Sequence, residues 1–354
     1  MRISEPAPDA PPRPHAGFRP ASFTPPPWLR GGHAQTVAGK FLRAAPALAL
    51  EPLRVPTLDG DFLDLEVGPE PAPQAPVVLL LHGLEGSTRR GYMRQTMLAL
   101  LEAGVRPVGM NFRACSGTPN LRPRFYHSGE TGDLRQVLAT LRQRMHGRAF
   151  GALGFSLGGN VLLRYLAEAG TAAPRSLGAA VAVSVPYDLA AAARMLEAGG
   201  MGRFYTRYFL KSLRAKVRAK RALLESAVDV ERVLTARTLR DYDEAATAPL
   251  HGFRDAADYY KQASSGPVLG NVRVPTLLIH AADDPFLPAD AVPVAAVERN
   301  PWLLGAFTRR GGHVGFISAG AAARRQPFWA ETEAARYLSR LLGGAVVSRP
   351  IGSG

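Results

Sequence analysis

The strongest constraint on the fold is a change of hydrophobic period along the chain. Four short apolar runs, "PVVLLLHG", "VRPVGMNFR", "AFGALGFS" and "GAAVAVSV", alternate with helical patterns over residues 92–103, 132–145 and 159–169. A strand that is apolar at every position is covered on both faces, and strands that alternate with helices form crossover units. The pattern therefore predicts an α/β fold with a mostly parallel central sheet and helices on both faces. Ahead of it, "LRVPTLDGDFLDLEV" alternates apolar and polar residues around Asp59-Gly60, which predicts a hairpin. The crossover pattern breaks at about Pro186, and a charged, mostly helical stretch runs to about Ser265. "PTLLIHAADD" and "WLLGAFTRRGG" then restore strands, and a last helix is expected over 327–342.

These breaks set the expected domain organisation. At 354 residues and 46% apolar composition the chain can bury one large α/β domain with insertions, or two ordinary domains, and the breaks favour the first. Residues 1–27, rich in proline and without apolar periodicity, read as a disordered or loosely draped arm. Residues 28–186 and 266–345 form the expected core, 187–265 a helical cap insertion, and 346–354 a polar tail.

No stretch reaches eighteen uncharged apolar residues, and the opening "MRISEPAPDAPPRPHAGFRP" lacks the apolar centre of a signal peptide, so a cytoplasmic protein is expected. Cys115, the single cysteine, fits a reducing compartment: it can form no intrachain disulfide, and no cysteine cluster exists to hold a metal. The formal charge of +14 raises the question of a nucleic-acid partner. Only five of the 43 basic residues are lysine and no recognition motif accompanies the charge, so nucleic-acid binding is not expected.

Chemistry is concentrated in "LGFSLGGN", which places Gly154, Ser156 and Gly158 in a Gly-x-Ser-x-Gly pattern between an apolar run and a helical one. That context is a nucleophile elbow, in which glycines flank a serine on a strained strand-to-helix turn. A serine hydroxyl needs a base to take its proton, and the base needs a carboxylate to fix its tautomer. In folds carrying such an elbow the acid and then the base follow the serine along the chain. The string RGGH occurs twice, around His33 and around His313, and only His313 lies beyond the carboxylates of "HAADDPFLP". Order therefore selects His313 as the base and leaves Asp283 or Asp284 as the acid, while His33, which precedes the first core strand, could still line a substrate pocket. Backbone donors for a tetrahedral oxyanion are expected at the N–H groups of Leu157, after the serine, and Leu84, after the strand "VVLLLHG".

Together these residues resemble the YheT-type branch of the α/β hydrolases, which also includes ABHD phospholipase-like proteins of eukaryotes. The resemblance runs from about Trp28 to Phe316 through "WLRGGHAQT", "HGLEGS", "NFRACSG", "YHSGETGDLR", "GFSLGGNVLLRYL", "TLRDYDEAATAPLHGF", "DYY", "HAADDPF" and "GGHVGF". It aligns the family's nucleophile, acid and base with Ser156, Asp284 and His313, leaving Asp283 to brace the turn. Ala114 departs from the pattern, where the family has glycine before the cysteine. The resemblance implies an α/β-hydrolase fold and hydrolysis of a short-chain or lipid-like carboxylic ester through an acyl-enzyme, with no cofactor and no metal. An acyltransferase or thioesterase would use the same three residues. A non-catalytic binding protein on this fold is disfavoured by their joint presence.

Three further features are open to a functional reading. Tyr126 and His127 in "YHSGET" are candidates to line the substrate pocket, although "SGETGDLR" also reads as a helix start. Cys115 and His280 read as structural, one buried and the other packed at a strand end. In "GRFYTRYFLKSLRAKVRAKRALL", Arg203, Arg207, Lys211, Arg214, Arg218 and Arg221 recur at steps of three or four, opposite Phe209, Leu213 and Val217. Such a helix packs its apolar stripe on the core and solvates its charges; the cationic face also fits peripheral contact with an anionic membrane.

Overall fold

The computed structural model describes residues 14–172, 177–319 and 327–344. Eight strands, β1 (Glu51–Pro56), β2 (Phe62–Val67), β3 (Val77–Leu81), β4 (Arg106–Met110), β5 (Phe150–Phe155), β6 (Leu177–Val183), β7 (Thr276–Ala281) and β8 (Leu303–Thr308), form one sheet in the order β1-β2-β4-β3-β5-β6-β7-β8. The hairpin β1–β2 turns through Gly60, whose φ is +74°, and β2 is antiparallel to both its neighbours. Every pairing from β4 to β8 is parallel.

The apolar runs take this form because both faces of each strand are covered. Val77, Leu79 and Leu81 of β3 pack with Leu134 and Val161, which belong to helices α3 (Thr131–Arg144) and α4 (Leu157–Ala169). Val78 and Leu80 point the other way, onto Met93, Met97 and Leu100 of α2 (Gly91–Glu102) and onto Leu338 of the C-terminal helix Trp329–Leu342. Successive strand residues alternate between faces, so a continuous apolar run serves two helix layers at once. A first helix, α1 (Gly32–Leu42), precedes the sheet.

Between β6 and β7 every regular element is helical: α5 (Leu189–Glu197), α6 (Gly199–Ala219), and the short α7 (Arg221–Leu224), α8 (Val230–Thr235), α9 (Leu239–Tyr242), α10 (Ala248–His251) and α11 (Ala256–Ala263). Polar side chains start four of them, Asp188, Asp229, Thr238 and Asp255 each accepting a hydrogen bond from a first-turn amide. A last pair, α12 (Val294–Arg299) and α13 (Trp329–Leu342), flanks β8. Along α6, Leu210, Leu213 and Val217 are buried and Phe209 is half-buried, while Arg203, Arg207, Lys211 and Arg218 are exposed. Arg221, just beyond the helix, is exposed as well, whereas Arg214 is half-buried and donates to the Ala236 carbonyl. No helix among the described residues is long and apolar enough to cross a membrane.

Over its described part the proline-rich start is draped on the core rather than disordered. Residues 14–27 lie along the core: Phe18 is buried edge-on against Tyr337, Phe23 packs on Phe316 and Trp329, and the Ala21 N–H donates to Glu333. Two aromatic anchors hold a segment whose prolines deny it any periodic pattern. Residues 1–13 of the arm and the tail 346–354 lie outside the described residues.

Candidate active site

Parallel strands bring the loops at their C-terminal ends to one edge of the sheet, where open α/β sheets place their sites. At the end of β5, Ser156 adopts φ +52° and ψ −120° and caps α4. Its N–H donates to the Val183 carbonyl at 2.8 Å, which pins the strained turn to β6. The glycines on either side are required by close approach. A Cβ on Gly154 would fall 2.4 Å from the Gly158 carbonyl oxygen, and one on Gly158 would fall 2.6 Å from the Leu81 and His82 carbonyls.

The loops after β7 and β8 supply an acid and an imidazole. His313 Nδ1 lies 2.9 and 3.1 Å from the two oxygens of Asp284, and its Nε2 lies 2.9 Å from Ser156 Oγ. An ionised carboxylate only accepts, so the proton sits on Nδ1, and Nε2 offers its lone pair to the serine hydroxyl. Burial pushes the Asp284 carboxyl up, but the adjacent His313 outweighs it and holds the group below its ordinary range; the Phe286 N–H also donates to it at 2.8 Å. The Phe286 ring stacks on the imidazole, centroids 4.1 Å apart.

The two RGGH strings meet here. The His313 N–H donates to Thr36 Oγ1 of α1 at 2.8 Å, and the Gly312 N–H donates to Asp283 at 2.8 Å. A Cβ on Gly32 would lie 1.9 Å from the Asp283 carbonyl oxygen, and one on Gly312 2.3 Å from the Gly32 carbonyl oxygen. The first string thus lets α1 press its opening turn against the loops that carry the acid and the imidazole.

Two cavities reach Ser156 and His313. An inner one of about 120 Å³, under the cap, is lined by apolar side chains such as Phe125, Leu189, Leu196, Leu213 and Leu239. An outer one of about 410 Å³ opens beside α1 and the start of α2.

Comparisons with known proteins show the family and the fold. The family model of the alpha/beta hydrolase fold matches residues 76–317. YheT of Escherichia coli (strain K12) is 36% identical over 326 residues, covering 91% of this chain and 94% of that protein. Phospholipase ABHD3 of Mus musculus is 30% identical over 303 residues, 84% of this chain and 73% of that protein. The chain belongs to the α/β hydrolase family, in the YheT and ABHD branch. The esterase Pf2001 of Pyrococcus furiosus shares the fold, with a TM-score of 0.55 at 19% identity over 84% of this chain and 94% of that one.

Within this α/β hydrolase the expected site residues divide. Ser156, Asp284 and His313 come together, and Leu84 and Leu157 both line the inner cavity beside the serine. Neither of those two amides donates to another group among the described residues. Tyr126 and His127 line the same cavity. His33 does not line it: the residue is exposed, and its Nδ1 meets the Tyr205 hydroxyl of α6 at 3.1 Å. Cys115 is buried, and burial pushes its thiol up to about 11. His280 is packed against Tyr187 with neither ring nitrogen hydrogen-bonded among the described residues and its Nε2 3.9 Å from Asp284, and burial lowers it to about 4.

Sequence reasoning missed Glu85, the residue after Leu84. Its φ is +53° and its side chain is 1% exposed. Its carboxylate accepts from Tyr126 Oη at 2.8 Å, from Lys216 Nζ at 2.7 Å and from Ser212 Oγ, while its own N–H donates back to Tyr126 Oη at 2.8 Å. The loop after β3 is thereby tied to the cap helix α6. The only signal for it was its place in "HGLEGS".

His127, Glu130 and His251 place one potential metal ligand atom each within 4.8 Å of one another. The Gly129 N–H, however, donates to His127 Nδ1, which leaves the ring proton on Nε2, 3.6 Å from Glu130. Arg124 closes on the same carboxylate, and burial holds His127 at about 3 and His251 at about 2. His127 Nδ1 and the Glu130 carboxylate are thus already engaged, and His127 and His251 face the inner cavity as neutral imidazoles in ring contact.

Proposed function

We propose that this α/β hydrolase cleaves carboxylic esters with an apolar acyl group through a covalent acyl intermediate on Ser156. The observation that carries the reading is the continuous hydrogen-bonded line Ser156 Oγ, His313 Nε2, His313 Nδ1, Asp284. Its kinship with ABHD3, which is named a phospholipase, supports an ester as the bond broken.

The chemistry follows from the proton positions. Ser156 Oγ attacks the ester carbonyl carbon as its proton passes to His313 Nε2, and Asp284 stabilises the imidazolium. Charge on the former carbonyl oxygen is met by the N–H groups of Leu157 and Leu84. The carbon–oxygen bond to the alcohol breaks and the alcohol leaves with the proton from His313. Water then adds to the acyl-serine, giving a proton to the same nitrogen. Collapse releases the acid and returns that proton to Ser156. The apolar inner cavity takes the acyl chain, with Tyr126 and His127 on its wall. The free, buried Cys115 fits a cytoplasmic setting.

A fluorophosphonate probe should label Ser156, and Ser156→Ala should abolish labelling and lower ester turnover roughly 10³-fold or more in a folded protein. His313→Ala should match that loss, and the double variant should add little, because residues acting as a unit are not additive. Undiminished turnover in folded Ser156→Ala would refute the reading.

A further inference from the structure

The turn that carries His313 is fixed along its backbone by side chains from three other parts of the fold. Three successive amides donate outward: Gly312 N–H to Asp283 Oδ1 at 2.8 Å, His313 N–H to Thr36 Oγ1 at 2.8 Å and Val314 N–H to Ser184 Oγ at 3.0 Å. Those oxygens belong to the loop after β7, to α1 and to the end of β6. Ser184 and Val314 both sit at φ +52°, a backbone region that residues other than glycine keep only where their surroundings impose it. With the backbone held, the freedom left to His313 is rotation of its ring.

Asp284 restrains that ring at one atom, Nδ1, and a ring hinged on one atom can still tilt out of line with Ser156. A second restraint is present in Phe286. Its ring lies on the imidazole with 4.1 Å between centroids and 23° between planes, and its N–H donates to Asp284 Oδ1 at 2.8 Å. One residue therefore touches the acid through its backbone and the imidazole through its side chain. The same phenyl group meets Tyr205 and Phe209 of α6 edge-on, with centroids 4.7 and 5.9 Å away. The cap helix thus bears on the imidazole through a single buried ring.

We propose that Phe286 is a positioning residue for His313: it sets the plane of the imidazole so that Nε2 faces Ser156 Oγ, and it does so while α6 is seated against it. This rests on the serine-hydrolase reading above and adds to it the residue that couples the cap to the base. The contact also strengthens during the reaction. As His313 takes the serine proton it becomes a cation, and an aromatic face attracts a cation more than a neutral ring. An interaction that grows toward the transition state acts on kcat, whereas one made equally with bound substrate acts on KM.

The test uses the full chain with p-nitrophenyl butyrate and a fluorophosphonate probe. Phe286→Leu keeps an apolar side chain and removes the aromatic face. It should lower kcat roughly 10-fold with KM within about 2-fold, as loss of a strong aromatic pair gives, and Phe286→Tyr should recover most of that loss. Tyr205→Leu, which leaves the direct neighbours of the imidazole in place, should lower kcat about 3-fold, and the double variant should lose less than the product of the two, because both act through one ring. The proton NMR signal of the His313 Nδ1–H, held downfield by its bond to Asp284, should persist in Phe286→Tyr and broaden in Phe286→Leu as the ring gains motion. A rise in KM with kcat unchanged makes Phe286 a wall of the cavity and overturns the proposal. So does an unchanged Nδ1–H signal in folded Phe286→Leu, or a loss of kcat that Phe286→Tyr does not recover. If Phe286→Leu does not fold, Tyr205→Leu decides, and an unchanged kcat there overturns the proposal. An unaltered protein that neither takes the probe nor cleaves the ester overturns the serine-hydrolase reading itself.

Discussion

Lys216 on the cap helix holds its Nζ 2.7 Å from Oε1 of Glu85, in the loop that follows β3. The residues stand 131 positions apart, and the carboxylate is almost wholly shielded from water. Removing one partner leaves the other charge buried and unanswered, which costs about 3 kcal/mol in such pairs. Lys216→Met should therefore destabilise the protein by about that amount and lower kcat, because the Leu84 amide rides on the same loop. Adding Glu85→Gln should restore part of the stability, since the pair is coupled. Urea melts of the two single variants and the double variant check this, and strict additivity would separate the two residues.

Gly32→Ala should disable turnover without touching Ser156, Asp284 or His313. Its methyl group would fall 1.9 Å from the Asp283 carbonyl oxygen, so α1 must move off the acid-bearing loop. The neighbouring His33→Ala removes one hydrogen bond to Tyr205 at an exposed position and should cost no more than about 1 kcal/mol. Comparing kcat and melting temperature for the pair distinguishes a contact that aligns the site from a surface contact. Equal kcat in both variants would remove α1 from that role.

Stability should respond to pH through Asp243. Burial pushes this carboxyl up to about 6, although Thr247 Oγ1 and Tyr260 Oη both donate to it. A carboxyl whose folded value lies above its ordinary 3.8 supports the fold while protonated, and that support fades as pH rises from about 4 through 6. Asp61 acts in the opposite sense and lower down. Burial raises it, but Asn120 and the amides of Leu121 and Arg122 bring it to about 2, so its contribution is lost only below the usual carboxylate range. Melting temperatures between pH 4 and 7 should fall less in Asp243→Asn than in the unaltered chain, and parallel curves would exclude Asp243 as the source.

The exposed cations of α6 predict salt-sensitive binding to anionic lipid. Arg203, Arg207 and Lys211 face outward on the same helix whose inner side carries Leu213 over the cavity. Co-sedimentation with phosphatidylserine vesicles should exceed that with phosphatidylcholine at low salt and vanish near 0.5 M, where the screening length is on the order of 4 Å. Equal binding to both lipids, or binding unchanged after the three cations become glutamine, would leave the face as a solvated surface.

Local patterns were legible in the sequence and distant ones were not. β3, β5 and β6 announce themselves because a strand covered on both faces is apolar throughout, and the elbow does so because its glycines stand two residues either side of the serine, between an apolar run and a helical one. His313 was reachable by chain order alone. Nothing local marks Glu85 as the partner of Lys216, nor Gly32 as the neighbour of Asp283, since those meetings depend on how the finished sheet stacks its loops. His33 and His313 sit in the same four letters, and only the following element separates them: a helix carries the first away toward Tyr205, while a turn with Val314 at φ +52° aims the second at Ser156. The sequence left disorder and draping both open for the arm because Phe18 and Phe23 are too few to make a period yet enough to anchor a segment.

The position of His313 on the far side of β8 also fixes when the site comes into being. During synthesis Ser156 emerges first and Asp284 much later, and the imidazole joins them only after β8, with α13 still to come and Phe18 still waiting for Tyr337. A nascent chain thus carries its nucleophile through 157 further residues with no base beside it. On the proposed chemistry, chains arrested before residue 313 should escape the fluorophosphonate probe, so acyl transfer cannot begin on the ribosome before that residue has been added.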